Sequence, residues 1–367
     1  MDRRKIYCSY DYSMDLRLAL PLRDMANNRR MAWRRYSPNL AIGRGLIMKK
    51  ILTIDGGGIK GVFPAAFLAS IEDIVGDRIG KYFDLIVGTS TGGILALGLG
   101  LGFTAKELLA FYEEYGATIF RSRWVWRLPV INFISGLAAT RYKQEPLRNA
   151  LEQKFGNKLL GECLTRVVIP SLNLETGQVH VYKTSHHPKL VTDYKEKVVD
   201  VALATSAAPT YFPAFRATSG VPLVDGGLWA NNPVGLSVVE AIGILGWMAT
   251  DIKVFSLGCT SEALNVRFGR HFALGQLYWA KKISDVFMSA QSSHSLGTAQ
   301  LLIGKENIFR YNPTVANGKF ALDSIEEMSS LRGMGSEYAR DTISSIKIFF
   351  EEEASPFSPY HGLYNIA

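Results

Sequence analysis

Gly88-Thr89-Ser90-Thr91-Gly92 fits the pattern G-x-S-x-G and is set between the apolar runs "DLIV" and "ILAL". A serine at a sharp strand-to-helix turn keeps its hydroxyl exposed above a helix N-terminus, and flanking glycines let the backbone turn tightly. The spacing predicts Ser90 as a nucleophile, with Gly88 and Gly92 forming the elbow. Small residues also occur wherever a strand meets a helix, so the pattern alone leaves an inert junction equally open.

A second glycine element lies about thirty residues upstream, in "DGGGIKG" at positions 55–61. Successive outward-facing N–H groups at Gly56, Gly57, Gly58, Lys60 and Gly61 would cradle an anion, either a phosphate or the oxyanion of an acyl-transfer intermediate. The stretch does not fit G-x-x-x-x-G-K-[ST], because Lys60 is followed by Gly61 and Val62. With a candidate nucleophile in the next strand-helix unit, the oxyanion reading is the better one.

An attacking serine must lose its proton, which a histidine oriented by a carboxylate usually takes. None of the six histidines (180, 186, 187, 271, 294 and 361) sits at a strand end next to an acidic residue. Asp225 does occupy such a turn, in "LVDGG", where Gly226 and Gly227 permit close approach. A carboxylate in direct contact with the serine can accept the proton if burial raises its pKa. The alternative is an ordinary turn aspartate bonded to its own backbone.

These residues require strand ends to carry them, and the sequence supplies them. "KILTID", a glycine turn, "VFPAAFLASIEDIVG", "YFDLIVG" and "TGGILALGLGLG" read as successive strand-turn-helix units of an α/β fold, with a mostly parallel sheet covered on both faces. "TAKELLAFYEEYGATIF" is an amphipathic helix with Thr104 as N-cap, and "RVVIPSLNLETGQVHVYKT" is a hairpin. "DIKVFSLGC" reads as the last clear core strand, followed by a mainly helical region. The expected organisation is an extension at 1–47, an α/β core at 48–241, and a C-terminal region at 242–367 holding that last strand. In "WANNPVG", Asn231 and Asn232 are expected to brace the Asp225 loop.

The net charge of +8 invites a nucleic-acid partner, but residues 1–50 hold 12 of the 41 Lys and Arg and only 4 of the 33 Asp and Glu. The remainder carries 29 of each sign and is formally neutral, so no nucleic-acid polymer is expected. Three widely spaced cysteines make neither a disulfide framework nor a metal clip and favour a reducing, cytoplasmic setting; Cys163 and Cys259 read as core residues. The first residues do not read as a secretory signal, and no apolar run reaches the length of a membrane span. Met48 stands directly before the first convincing strand, so the basic extension is expected to be dispensable.

"DGGGIKG", "GTSTGG", "AAPTYFP" and "DGG", in this order and approximate spacing over about residues 50–240, resemble the patatin family of lipid acyl hydrolases. The resemblance implies a three-layer α/β fold and a Ser90/Asp225 dyad without a catalytic histidine. It also implies a glycine oxyanion hole, no metal and no cofactor. Length and a helical C-terminal region are similar to those of the bacterial members switched on by a cyclic dinucleotide in antiphage signalling. That subgroup implies membrane phospholipid as substrate, action at the inner face of the membrane and a cyclic dinucleotide effector, and is compatible with a homo-oligomer on activation. "RSRWVWRLPVINFISGL" is the candidate lid or docking segment, with Trp124, Trp126 and Phe133 as anchors and Arg121, Arg123 and Arg127 for anionic headgroups. Burial of that segment in the C-terminal lobe is the competing expectation. Two other functions remain open at this stage: an acyl hydrolase or transferase on soluble esters or thioesters, and a nucleotide-binding regulatory module with an inert Ser90.

Overall fold

The computed structural model describes residues 48–120, 140–263 and 276–362. Its first elements are β1 (Lys49–Ile54), a 3-10 turn at Gly58–Gly61, α1 (Val62–Val75), β2 (Leu85–Gly88) and α2 (Thr91–Gly100). There follow α3 (Ala105–Ile119), α4 (Glu145–Phe155), the hairpin β3 (Arg166–Asn173) and β4 (Val179–Lys183), and α5 (Val198–Thr205). Then come β5 (Phe215–Arg216), β6 (Pro222–Asp225), the one-turn α6 (Gly227–Ala230), α7 (Val234–Gly243), β7 (Ile252–Leu257) and β8 (Ser261–Glu262). The last are α8 (Gln276–Ile303), β9 (Ile308–Tyr311), β10 (Thr314–Val315) and α9 (Met328–Ile346).

Strand residues point alternately to the two faces of a sheet, and here each face has its own core. Leu52, Ile54, Ile86, Val167, Phe255 and Leu257 enter one cluster with α1, α2 and α3. Ile51, Leu85, Val87, Val168, Ile252 and Val254 enter the other, against Val234, Val238 and Ala241 of α7 and Ala299 and Ile303 of α8. The result is the expected three-layer α/β arrangement, because strands buried on both faces must be apolar at every position. Thr104 caps α3 in a reciprocal capping box with Glu107, as its sequence position suggests.

Strands β3, β2, β1, β7 and β9 run parallel in that order, and β4, β6 and β5 add antiparallel pairings. "DIKVFSLGC", β7, is not the last core strand: between α8 and α9 a short "IFRY" strand, β9, joins the sheet edge beside it. The described residues of the core and the C-terminal region therefore belong to one compact unit.

The pairing of β3 decides where the site forms. Val168 pairs with both Val87 of β2 and Lys183 of β4, while Ser171 pairs with both His180 of β4 and Asp225 of β6. A strand residue has one neighbour on each side, so β4 takes one side of β3 while β2 and β6 share the other. β2 runs parallel to β3 and β6 antiparallel, so their carboxyl ends approach each other head-on along the same edge. The two pairings lie three positions apart on β3, roughly 10 Å of strand.

The extension at 1–47 and the proposed docking segment with Trp124, Trp126, Phe133, Arg121, Arg123 and Arg127 lie outside the described residues. Among the described residues, no helix is long and apolar enough to cross a membrane.

Candidate active site

The turn after β2 carries Ser90 at φ 54° and ψ −122°, the conformation of a non-glycine residue held under strain. Its neighbours allow that turn by lacking side chains. A Cβ at Gly88 would run into the Gly92 carbonyl, and one at Gly92 into the carbonyls of Ile54 and Asp55. The Ser90 N–H donates to Thr205 Oγ1 at 3.1 Å, and that hydroxyl donates to the Pro170 carbonyl at 2.6 Å. Thr89 Oγ1 donates to the Ala230 carbonyl at 2.6 Å, tying the elbow to α6. None of these restraints uses the Ser90 hydroxyl.

That hydroxyl donates to Asp225 Oδ2 at 2.6 Å, across 135 residues of sequence. Asp225 ends β6, where its N–H bonds to the Ala207 carbonyl of "AAPTYFP" at 3.0 Å, and its Oδ1 accepts the Gly227 N–H at 2.6 Å. The carboxylate is buried with no cation paired to it among the described residues. Burial raises its pKa to about 6, although the bonds from Ser90 and Gly227 pull the other way. The ordinary-turn alternative for Asp225 accounts for the Gly227 bond alone. No histidine among the described residues bonds to Ser90 or Asp225. His186, for example, is buried against Thr184 and Glu240, at 2.9 Å from each.

The glycine loop after β1 lies beside this pair, and a Cβ at Gly56 would come within van der Waals contact of Ser90 Cβ. Its donors divide into used and free. Gly56 N–H is bonded to the Asn231 carbonyl at 3.0 Å, Ile59 N–H to Leu322 O at 2.8 Å, and Lys60 N–H back to Gly57 O at 3.2 Å. Gly61 lies within the 3-10 turn, packed against Thr91. Gly57 and Gly58 are left with N–H groups that have no acceptor among the described residues, and Gly58 takes a φ of 59° that suits glycine. Of the five positions expected to cradle an anion, these two have donors to spare.

Several partners had no local signal in the sequence. Asn231 does not bond to Asp225; its Nδ2 donates to the Gly56 carbonyl at 3.3 Å and its N–H to Gln291 Oε1 at 2.8 Å, so it braces the glycine loop. Asn232 holds the start of α7 and Ser292 of α8. Asp55 is gripped by Arg310 of β9, with Nη1–Oδ1 at 3.1 Å and Nη2–Oδ2 at 2.5 Å. Cys163 and Cys259 are buried thiols as expected, the latter beneath the glycine loop with its Sγ donating to the Asp55 carbonyl at 3.3 Å. No cluster of metal-ligating side chains occurs among the described residues.

A serine hydroxyl bonded to a buried, cation-free carboxylate, beside a loop with two free N–H groups, is an arrangement for acyl transfer. Residues 52–237 match the patatin family, described as patatin-like phospholipase. The chain belongs to that family and is an enzyme of the hydrolase class. It is 33% identical to the cGAMP-activated phospholipase of Pseudomonas aeruginosa over 87% of this chain and 96% of that one. It is 42% identical to the protein of that name from Escherichia coli, over 52% of this chain and 55% of the relative. With the Vibrio cholerae counterpart it shares 37% over 58% and 64%, so two of these three relatives are matched over less than two thirds of their length.

Proposed function

We propose that this chain hydrolyses ester bonds of membrane phospholipids with Ser90 as nucleophile, Asp225 as general base, and the N–H groups of Gly57 and Gly58 as the oxyanion hole. The observation that carries the reading is the 2.6 Å bond from Ser90 Oγ to a buried carboxylate that has no cation partner among the described residues. In this reaction Ser90 Oγ attacks the ester carbonyl carbon as its proton passes to Asp225, and the carbonyl oxygen becomes an oxyanion facing Gly57 and Gly58. Collapse expels the alcohol, a lysophospholipid, which takes the proton from Asp225. Water then gives a proton to Asp225 and attacks the acyl-serine, and departure of the fatty acid returns the proton to Ser90 Oγ.

A pKa near 6 suits this work, because the carboxylate is ionised at neutral pH yet basic enough to share the serine proton. The names of the three bacterial relatives support cyclic dinucleotide activation, with cGAMP the first effector to try. We assign the activity to the cytoplasmic face of the membrane.

The test is fatty-acid release from phosphatidylethanolamine and phosphatidylglycerol vesicles, with and without cGAMP, alongside labelling by a fluorophosphonate. Release and labelling that vanish in Ser90→Ala support the proposal. An activated protein that hydrolyses a short-chain soluble ester but no vesicle lipid would overturn the substrate assignment, and absence of labelling would overturn the nucleophile.

A further inference from the structure

Arg310 lies outside the segment that matches the family, on a strand the sequence did not announce, yet its guanidinium reaches the first residue of "DGGGIKG". Thr53, Ser256 and Arg310 are in-register neighbours on β1, β7 and β9. Neighbours in register share a face of the sheet, so the Arg310 side chain must cross the middle strand to reach β1, a span of about 10 Å between the outer strands. Ser256 is small enough to let it pass, and its Oγ accepts from Nη1 at 2.7 Å on the way. Asp55, two residues beyond Thr53 and so on the same side, receives both guanidinium nitrogens.

A two-pronged grip differs from a point charge because it sets orientation as well as distance. The Asp55 backbone is held too, by its own N–H to the Leu257 carbonyl at 2.9 Å and its carbonyl to Cys259 Sγ. The chain leaving Asp55 thus starts in a defined direction, and only Gly56 intervenes before the free donors of Gly57 and Gly58. We propose that Arg310 is a positioning residue for the reaction, fixing through Asp55 where the Gly57 and Gly58 N–H groups point. The inference rests on the oxyanion role given to that loop. Burial of such a pair is weak evidence of stabilisation, since apolar replacements of buried ion pairs are often neutral or better. A role in orientation gives the pair a function that stability alone does not.

The experiment compares wild type, Arg310→Lys, Arg310→Met and the double variant Arg310→Met/Asp55→Asn, each as the full chain. The substrates are a p-nitrophenyl acyl ester and phosphatidylglycerol vesicles with cGAMP present, and thermal unfolding is recorded alongside. Arg310→Met leaves a buried carboxylate uncompensated and can fail to fold; the double variant removes both charges and keeps the test decisive. A misplaced oxyanion donor costs up to ~10²-fold in rate. The double variant should therefore unfold near the wild-type temperature while kcat falls by at least ~10-fold and KM stays within ~3-fold. Arg310→Lys, which keeps charge without the fork, should recover only part of that loss. A folded double variant with wild-type kcat overturns the positioning role and leaves the dyad standing. Ester hydrolysis by the wild type that survives Ser90→Ala overturns both.

Discussion

Two buried carboxylates show how the same fold prepares one acid for chemistry and another for structure. Asp225, at the carboxyl end of β6, has for company a hydroxyl and a backbone N–H. Glu240, in α7, has Lys183 Nζ at 2.6 Å and His186 Nε2 at 2.9 Å, with Thr184 holding the far side of the imidazole. Burial pushes both pKa values up, but His186 and Lys183 more than offset it at Glu240, whose pKa ends below its ordinary value, whereas Asp225 ends near 6. A carboxylate that has lost water and gained no cation is available to a proton. One that has gained two partners is a lock.

Removing either side chain breaks the comparison in opposite directions. The largest effect belongs to turnover: Ser90→Ala and Asp225→Asn should each lower kcat by at least ~10³-fold in folded protein, while Glu240→Gln and alanine at each of the six histidines leave measurable activity. A histidine variant that folds and is inactive would remove Asp225 from the role of base. The next effect is on stability. Glu240→Ala leaves Lys183 and His186 buried without their carboxylate and should cost about 3–5 kcal/mol in urea unfolding. A cost below about 1 kcal/mol would show that the network is dispensable.

The parts of this contrast that the sequence made legible are those written into one short stretch. Ser90 and Asp225 each follow an apolar strand and sit among glycines, so type, turn and strand end were visible together. The partners were not. Thr205 secures the Ser90 N–H from 115 residues away, and Arg310 reaches Asp55 from 255 residues away. The first depends on how helix α5 packs on the sheet and the second on parallel strand register, and no local pattern specifies either. Strand β9 escaped notice because four residues between two helical stretches carry too little periodicity to register. The Lys183–Glu240–His186 network stayed hidden for the same reason, since its members lie on separate elements and only the folded sheet brings them together.

Activity and stability should trade against each other at the site, where they do not at Glu240. The folded pKa of Asp225 lies above the ordinary carboxyl value, so its ionisation in the folded protein is disfavoured. Wild-type stability from this group is intact below about pH 4 and is lost as pH rises through about 6. Asp225→Asn escapes that loss and should unfold later than wild type at pH 8, by about 1–3 kcal/mol, with the advantage shrinking to nothing near pH 4. Ser90→Gly should also stabilise, by relieving the positive φ, whereas Ser90→Ala keeps the strain. Equal stability of Asp225→Asn and wild type across this pH range would mean that the carboxylate pays no penalty for its burial.

The smallest effect is the most specific to the mechanism. If Asp225 must be ionised to accept the serine proton, kcat/KM reports its pKa in the free enzyme. The profile should climb about tenfold per pH unit up to about 6 and then level off. A histidine would titrate nearby, so the position of the limb is not enough. Ionisation of a carboxyl has an enthalpy near zero, whereas that of an imidazolium absorbs considerable heat, so the Asp225 limb should hardly move between cold and warm assays. It should also stay in place in His180→Ala, His187→Ala, His294→Ala and His361→Ala, none of which touches the dyad. A limb that shifts strongly with temperature, or vanishes in one of these variants, would assign the essential base to an imidazole and return Asp225 to the same structural class as Glu240.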